Sequence, residues 1–543
     1  MKRLLPFALF ASTAAFAQQP PDAGQILRDT GPAPGLPAPK VPTTSVEEGK
    51  PLAAPDGQRI AVKGFRVTGA TAFPEAELLE LLADAADKEL SLAELDGLAA
   101  RITRHHREAG YLVARAYLPA QDVSSGTIEI AVLEGRLGTV SVTDGAGLSA
   151  SALAPLDALV SGQAIRSQEM ERSLLALSDL PGVEVKSTLR PGAAVGTSDF
   201  LVEVAPGPAV SGSVDIDSFG NRYTGSHRLG TSLFWNNPAG LGDQASLRLQ
   251  KSDGDFDYLR VGYQLPLGVH ATRIGASWSE MRYGLGEDFA PLKADGEATV
   301  SSLYLLHPFL RGRQASLYGQ LQYDDKRLTD RVGSTATETD KTLGNWTAGV
   351  NGNFTDSIGG GGSNSVALAY TRGHLGLDAA TAAIDVATAR SAGSYSKWSA
   401  SFQRLQRLTD GLSLSLAYAG QWAGKNLDSS EKFALGGTQG VRAYPQGEAA
   451  GDEGQLLTAE LRWQVSDAWQ AQAFYDDGRV KINRDPWAAG DNTRLLAGYG
   501  VGTAWAGGGF TLRAFAAWKA GTGKPTSDVS RSPRVWVQAA KYF

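Results

Sequence analysis

Alternating apolar and polar side chains occupy the whole of this chain after Pro208. They come in segments of about ten residues, the length of a strand that crosses a membrane. In one segment Leu457, Ala459, Leu461, Trp463 and Val465 alternate with Thr458, Glu460, Arg462 and Gln464. Successive side chains of a strand point to opposite faces, so each segment predicts one apolar and one hydrated face. A soluble sandwich also alternates, but only a transmembrane barrel needs the apolar face outward.

Sixteen such segments can be counted, and an even number returns both ends of a barrel to the same side of the membrane. They are centred near residues 214, 231, 247, 261, 275, 304, 318, 348, 368, 400, 416, 460, 473, 499, 514 and 538. The pattern predicts a membrane all-β fold, a sixteen-stranded outer-membrane β-barrel over residues 208–543. Because other units precede it, odd-numbered strands are expected to run outward.

The N-terminus predicts export from the cytoplasm. Lys2 and Arg3 precede an apolar run that ends in Ala15-Phe16-Ala17, the small-x-small pattern of a signal peptidase site. Residues 1–17 are therefore predicted to be a signal peptide. The chain contains no cysteine, which excludes disulfides and thiol chemistry, and its net charge of -6 gives no basic face for nucleic acid.

Residues 18–58 have the Pro-rich composition of a linker, apart from one short amphipathic segment at about 22–30. Asp22 is a candidate N-cap there, and Ile26 and Leu27 form a small apolar face. A helix this short is marginal alone, so it needs a surface to dock onto.

Two compact α+β units separate the linker from the barrel. Residues 60–135 show the order strand, helix, helix, strand, strand, and residues 136–206 repeat that order without repeating the sequence. Such a unit leaves a free sheet edge, where an extended peptide can add as a further strand.

Arg442 lies in a glycine-rich loop between the eleventh and twelfth predicted strands, the sixth extracellular loop at about 425–453. The loop reads Gly436-Gly437-Thr438-Gln439-Gly440-Val441-Arg442-Ala443-Tyr444-Pro445. The string Phe474-Tyr475-Asp476-Asp477-Gly478 lies on the thirteenth strand, where parity turns Asp476 towards the lumen. An arginine that stays charged needs a carboxylate or water, so Asp476 is a candidate partner of Arg442, and whether the two meet stays open at this point.

These two strings resemble the signature motifs of the outer-membrane superfamily that includes barrel-assembly factors and two-partner secretion transporters. Val441-Arg442-Ala443-Tyr444 is similar to its Val-Arg-Gly-Tyr/Phe motif, with Ala443 in place of the usual glycine. Phe474-x-Asp476-x-Gly478 matches its partner motif. The resemblance covers essentially the whole mature chain: residues 22–30 are similar to a plug helix and the two α+β units to POTRA domains.

The resemblance implies that the sixth loop folds back into the lumen, where Arg442 and Asp476 act as a structural latch. Gly436, Gly437 and Gly440 would permit the tight return. Two POTRA units with a plug helix resemble the haemolysin and filamentous-haemagglutinin branch, which exports a secreted exoprotein in extended form. The other implied partners are outer-membrane lipid and the barrel-assembly machinery that inserts the chain. No cofactor, metal, nucleotide or nucleic acid is implied.

Three alternatives stay open at this point. A passive porin or receptor would use the same barrel but would not need residues 60–206. A barrel-assembly or lipid-handling member of the superfamily would share both motifs. An enzyme is not expected, because the sequence has neither a Gly-x-Ser-x-Gly nor a His-Glu-x-x-His motif. His105-His106 lies on a charged helix and is expected to be solvated.

Overall fold

The computed structural model describes residues 20–30, 43–46, 59–521 and 523–543, with the backbone alone for 43–46. The predicted signal peptide, and the linker apart from 20–30 and 43–46, lie outside the described residues. Within the described part of the chain, no helix is long and apolar enough to cross a bilayer.

Sixteen antiparallel strands close into a barrel, in which each strand pairs with the next and the last pairs with the first. In chain order they are β1 Val210–Asp217, β2 Arg228–Asn236, β3 Gln244–Ser252, β4 Phe256–Leu267, β5 Thr272–Gly284, β6 Ala294–Arg311, β7 Ala315–Val332, β8 Thr337–Asp356, β9 Gly362–Leu377, β10 Gly393–Arg407, β11 Leu412–Ala423, β12 Glu453–Gln464, β13 Trp469–Lys481, β14 Thr493–Gly507, β15 Phe510–Lys519 and β16 Arg534–Tyr542. Every predicted strand centre falls within one of them, so the predicted barrel is confirmed.

The two faces of the barrel strands differ as the alternation predicts. On β8, Trp346 and Val350 are 55% and 45% exposed on the outer surface, whereas Asn351 and Asn353 line an interior cavity. An apolar outer belt suits lipid, and amide side chains suit a hydrated lumen.

The first α+β unit has a three-stranded and a two-stranded sheet packed on helices. Its elements are the strands Arg59–Val62, Gly64–Thr68, Lys88–Ser91, Arg115–Tyr117 and Thr127–Leu133, the α-helices Glu75–Glu80 and Leu92–Glu108, and the 3-10 turn Ala83–Ala85. The expectation for His106 was wrong. The long helix turns His106 inward, where it is fully buried and its Nδ1 lies 2.9 Å from the carbonyl oxygen of Ile102.

The second unit repeats the predicted order of elements. They are the strand Arg136–Asp144, the helix Ala150–Leu153 with the 3-10 turn Ala154–Ala158, the helix Ser167–Ser178, and the strands Val183–Pro191 and Thr197–Pro206. Leu174, Leu177, Phe200 and Val202 are at most 2% exposed in its core. Helix and sheet therefore bury a shared apolar layer.

A strand from the linker covers one edge of the second unit's sheet. Thr43–Val46 runs parallel to Val183–Pro191, with Thr43 opposite Lys186 and Val46 opposite Leu189. Four residues are too short for a periodic signal, so the sequence indicated only linker here. The open sheet edge supplies the hydrogen-bonding partner that orders them.

Contacts with the barrel turns show which mouth the second unit occupies. Asp179 accepts two hydrogen bonds from the Arg311 guanidinium, at 2.7 and 2.8 Å, and Ser149 N–H donates to Gly240 O at 2.7 Å. Arg311 ends β6, and Gly240 lies in the turn after β2. The turns after even-numbered strands thus lie at the unit's end of the barrel, and the connection from β11 to β12 lies at the other.

We expect the linker strand to protect the sheet edge of the second unit. Replacing both Thr44 and Ser45 with proline removes two adjacent N–H groups, and alternate N–H groups of a strand face its partner. Amide hydrogen exchange across Lys186–Leu189 should then rise by about tenfold or more. Unchanged exchange there would contradict the pairing, and Thr127–Leu133 in the first unit serves as the internal control.

Candidate functional site: the latched loop and the lumen plug

The sixth extracellular loop, residues 424–452, turns back into the barrel. Phe433–Ala434 pairs with Ala450–Gly451 as a short ribbon, and the tip beyond it turns tightly. Gly437 has φ 107°, a backbone conformation that disfavours side chains. At Gly440 a Cβ would overlap the carbonyl oxygen of Leu435. Glycine at these two positions therefore allows the return.

The loop tip brings Arg442 against Asp476 on the lumen side of β13. The guanidinium donates from Nη2 to Oδ1 at 2.7 Å and from Nε to Oδ2 at 2.9 Å. The Arg442 backbone N–H also donates to Oδ2, at 3.1 Å. The two residues are 6% and 0% exposed. A planar guanidinium fork on a carboxylate fixes direction as well as distance.

A second carboxylate completes the arginine site. Arg442 Nη1 donates to Glu460 Oε1 on β12 at 2.6 Å, and the other Glu460 oxygen accepts from Arg462 Nε at 2.9 Å. Sequence reasoning did not assign Glu460 to the site. The signal was present, because Glu460 occupies the hydrated face of its strand and β12 pairs directly with β13.

Aromatic rings hold the same arginine from the remaining sides. The guanidinium carbon lies 3.5 Å from the ring centre of Phe474 and 5.7 Å from that of Phe515 on β15. Trp536 Nε1–H on β16 donates to the Arg442 carbonyl oxygen at 2.8 Å. The tip is thus bound by β12, β13, β15 and β16 through charge, π-face and backbone contacts.

The other residues of the two motifs form the packing around this site. Val441, Ala443 and Tyr444 are each at most 2% exposed, in one cluster with Phe474. The methyl group of Ala443 lies against Gly498 on β14, where a Cβ would lie 2.5 Å away. Gly498 therefore provides the space for the alanine that replaces the usual glycine.

Two further glycines of the motifs lie where another part of the chain comes too close to the backbone for a side chain. At Gly478 a Cβ would overlap the side chain of Leu435, and at Gly436 it would lie 2.7 Å from Cβ of Glu448. A side chain at Gly478 would push the loop away from β13, and one at Gly436 would push the two arms of the loop apart.

Glu448 is a fully buried carboxylate that the sequence did not single out. It accepts hydrogen bonds from the backbone N–H groups of Thr526 and Ser527, both at 2.8 Å, and pairs with Arg494. Thr526 and Ser527 lie in the last extracellular connection. Glu448 thus joins the sixth loop to that connection.

A short helix, Ala23–Asp29, lies inside the barrel, within the segment that the sequence predicts as a plug helix. Asp22 caps it through Gln25 N–H at 2.9 Å and lies 2.8 Å from Lys341 Nζ on β8. Although burial raises the pKa of Asp22, Lys341 and its hydrogen bonds hold it at about 2. Lys341 also faces Asp330 at 3.7 Å and Asp428 at 3.4 Å. One ammonium is therefore shared by three carboxylates, of which Asp22 belongs to the helix segment.

The plug helix also rests on the sixth loop. Arg28 Nη1 donates to Ser429 O at 2.9 Å, and Ser429 Oγ donates to Asp22 Oδ2 at 2.8 Å. Ile26 is 5% exposed and packs in the lumen cluster, with Leu27 partly buried against it. Both predicted apolar residues of the plug thus face protein.

The closed barrel, the two α+β units that precede it and the inward-folded sixth loop define an outer-membrane transporter with periplasmic POTRA domains. Residues 196–505 match the family model of the haemolysin secretion/activation protein ShlB/FhaC/HecB, and residues 60–135 match that of the ShlB-type POTRA domain. The chain belongs to this family. It is a two-partner secretion transporter, a class that exports partner proteins, and the passive-porin alternative is not supported.

Individual proteins agree with the family match. The chain is 28% identical over 417 residues to the heme/hemopexin transporter protein HuxB of Haemophilus influenzae, covering 75% of this chain and 74% of that protein. It is 28% identical over 493 residues to the outer membrane transporter CdiB of Escherichia coli, covering 87% and 81%.

Solved structures share the fold. CdiB from Escherichia coli aligns with TM-score 0.71 at 23% identity, covering 91% of this chain and 93% of that one. BamA from Haemophilus ducreyi lacking POTRA domains 1–3 aligns with TM-score 0.54 at 14% identity, covering 89% and 100%.

Removing the latch arginine should destabilise the folded protein. Arg442→Ala leaves the buried Asp476 without a cation and leaves Glu460 with Arg462 alone. We expect a loss of about 3 kcal/mol in the free energy of unfolding, measured with urea in lipid vesicles. Arg442→Lys keeps the charge but loses the planar fork, so its loss should be smaller.

The matched control is Arg462→Ala. Arg462 also binds Glu460, but its side chain is 27% exposed, so its loss should be within about 1 kcal/mol. Equal effects of Arg442→Ala and Arg462→Ala would show that the buried pair carries no special stability.

Proposed function

We propose that this chain carries its secreted partner across the outer membrane as an unfolded, extended polypeptide, and that docking of the partner withdraws the plug helix. The observation that carries the proposal is the N-terminal segment itself. It contributes a helix to the lumen and a strand to the sheet of the second unit. The lumen and the sheet edge are therefore occupied by two parts of the same N-terminal segment.

The edge strand Val183–Pro191 is the proposed docking site. Its occupation by Thr43–Val46 supports this, because an edge that accepts one extended segment can accept another. Strand addition uses backbone hydrogen bonds, so it suits a partner recognised in extended form. The partner would take the place of the linker strand.

The short length of chain between the helix and the linker strand couples docking of the partner to release of the plug helix. Thr30, the last described residue of the plug segment, and Thr43 are thirteen positions apart in the sequence. Such an interval spans at most about 45 Å. While Thr43 stays on the sheet edge, the plug end cannot move farther than this from it, and Thr30 O accepts from Arg228 Nη1 at the outer end of β2. Displacement of the strand removes that restraint and lets the helix leave.

The latch has a positional role in this scheme. Arg442 and Asp476 hold the loop tip on one wall of the lumen, and neither acts as a catalytic residue. We infer that the chain is not an enzyme, in keeping with a family of transporters. No nucleotide motif occurs in the sequence, so folding of the partner outside the cell would bias the passage.

The proposed partner is a large exoprotein of the haemolysin or filamentous-adhesin kind. Activation of the partner is a second candidate function, favoured by the family's description as secretion/activation proteins. For insertion we propose the barrel-assembly machinery and outer-membrane lipid as partners. The last strand supports this, because Val535, Val537 and the terminal Phe543 are exposed and apolar.

The secreted proteome tests the function directly. Deleting the gene for this chain should remove one large protein from the culture medium, and a plasmid copy should restore it. A copy lacking residues 136–206 should fail to restore it, because the proposed docking edge is gone. Export at the normal rate without that unit would refute the docking step, and a medium unchanged by the gene deletion would refute the function.

The charge on Lys341 should control how often the plug leaves. Lys341→Met leaves Asp22, Asp330 and Asp428 without their shared cation, so the docked helix loses its main ionic contact. In planar bilayers we expect open-channel events to rise by about tenfold. Lys251→Met, at a side chain that is 68% exposed, is the control. Equal conductance in the two variants would contradict the ionic plug lock.

A further inference from the structure

A cavity of about 570 Å³ lies between the tip of the sixth loop and the barrel wall formed by β8 to β11. Thr438, Gln439 and Gly440 form its loop side. On the wall side its polar residues are all uncharged. They are Asn351, Asn353, Ser365, Ser401, Gln403 and Ser415. We call this space the amide cavity.

The polar groups of this wall are available for binding. Elsewhere in the lumen amides are engaged, as where Gln322 donates to Asp324 at 2.8 Å. Within the described residues, the six wall side chains of the amide cavity make no hydrogen bond to another protein group. Asn353, Ser401 and Gln403 are exposed to the space. Their amide and hydroxyl groups can therefore donate hydrogen bonds to a bound molecule and accept hydrogen bonds from it.

The latch keeps the cavity open. The partners of Arg442 lie on β12, β13, β15 and β16, so the loop tip is held against that side of the barrel. The charged residues that reach the cavity belong to the same side and are paired: Arg442 and Arg462 with Glu460. Hence no unpaired charge of the described residues faces the space from β8 to β11.

The other side of the lumen is different in character. A second cavity of about 330 Å³ lies against β2 to β6 and is lined by Arg248 and Arg260 together with Gln264 and Ser277. Arg248 is paired with Asp215, with Nη2 at 3.0 Å from Oδ2. Arg260 donates to Ser277 Oγ at 3.1 Å and has no carboxylate partner among the described residues. A polypeptide that moves along that wall would meet charged side chains at fixed positions. Each of them would attract or repel the charged residues of the moving polypeptide.

We propose that the amide cavity is the binding site for the moving partner, which it takes as an extended segment of uncharged polar sequence, and that the segment passes while Arg442 stays latched. This rests on the proposed export function. Amide and hydroxyl groups exchange hydrogen bonds with a peptide backbone at little net free energy, because water serves both equally well. Such a wall binds each uncharged polar residue in turn and holds none strongly.

Site-specific crosslinking tests the assignment with defined probes. A photo-crosslinking amino acid replaces Ser401 in the amide cavity or Ser277 in the second cavity of the full-length protein in lipid nanodiscs. The probes are two synthetic peptides of equal length, one of Asn, Ser, Thr and Gly only and one of alternating Lys and Glu. We expect the uncharged peptide to crosslink at position 401 about tenfold more than at 277.

The charged peptide should crosslink weakly at position 401. Equal yields at the two positions, or equal yields of the two peptides at position 401, would overturn the proposal.

A pair of matched charge substitutions tests the site during export. Gln403→Glu places a fixed charge on the amide wall, and Gln264→Glu makes the same change in the second cavity. Export of the protein identified in the medium should fall by about tenfold in the first variant and stay within about twofold of normal in the second. Heat-dependent migration in gels verifies that both barrels fold.

The outcomes separate the two proposals. If Gln403→Glu exports at the normal rate, the amide cavity is not the path, while export itself stands. If the unmodified chain exports no protein, the proposed function fails whatever the crosslinking shows.

Discussion

The charge of Arg442 organises the interior of this barrel. A guanidinium that is almost fully buried must be surrounded by acceptors, and Asp476 and Glu460 supply them from two neighbouring strands. Meeting this demand draws the loop tip deep into the lumen and holds it against one wall. The position of the loop tip, and the space left between it and β8 to β11, follow from where that one charge is neutralised.

The sequence predicted the barrel well because the membrane leaves little choice. Strands with one lipid face and one wet face must alternate strictly, and this signal survives without any knowledge of tertiary contacts. The pairing of Arg442 with Asp476 was predicted by the resemblance of the two motifs to the family's, and parity alone predicted only that Asp476 faces the lumen. Glu460 is the carboxylate on the predicted wet face of β12, beside β13, so the need of Arg442 for acceptors could have selected it. The sequence does not show that one guanidinium reaches both strands at once.

Other features could not be read because they depend on surroundings. Thr43–Val46 becomes a strand only because a sheet edge is open beside it, and four residues carry no periodic pattern. His106 looked solvated because its helix is charged, yet the inward face of that helix buries it. Glu448 lies outside both sequence motifs, so the sequence did not single it out. Its role depends on a connection nearly eighty positions later in the chain.

The partners of the loop tip have a consequence for how the molecule is built. Arg442 and its flanking residues contact β12, β13, β14, β15 and β16, which are the last five strands in the sequence. The binding place for the tip is therefore complete once this C-terminal sheet has paired, before β16 meets β1. During assembly the loop can settle on an open sheet, and the earlier strands can then close around a core that already exists.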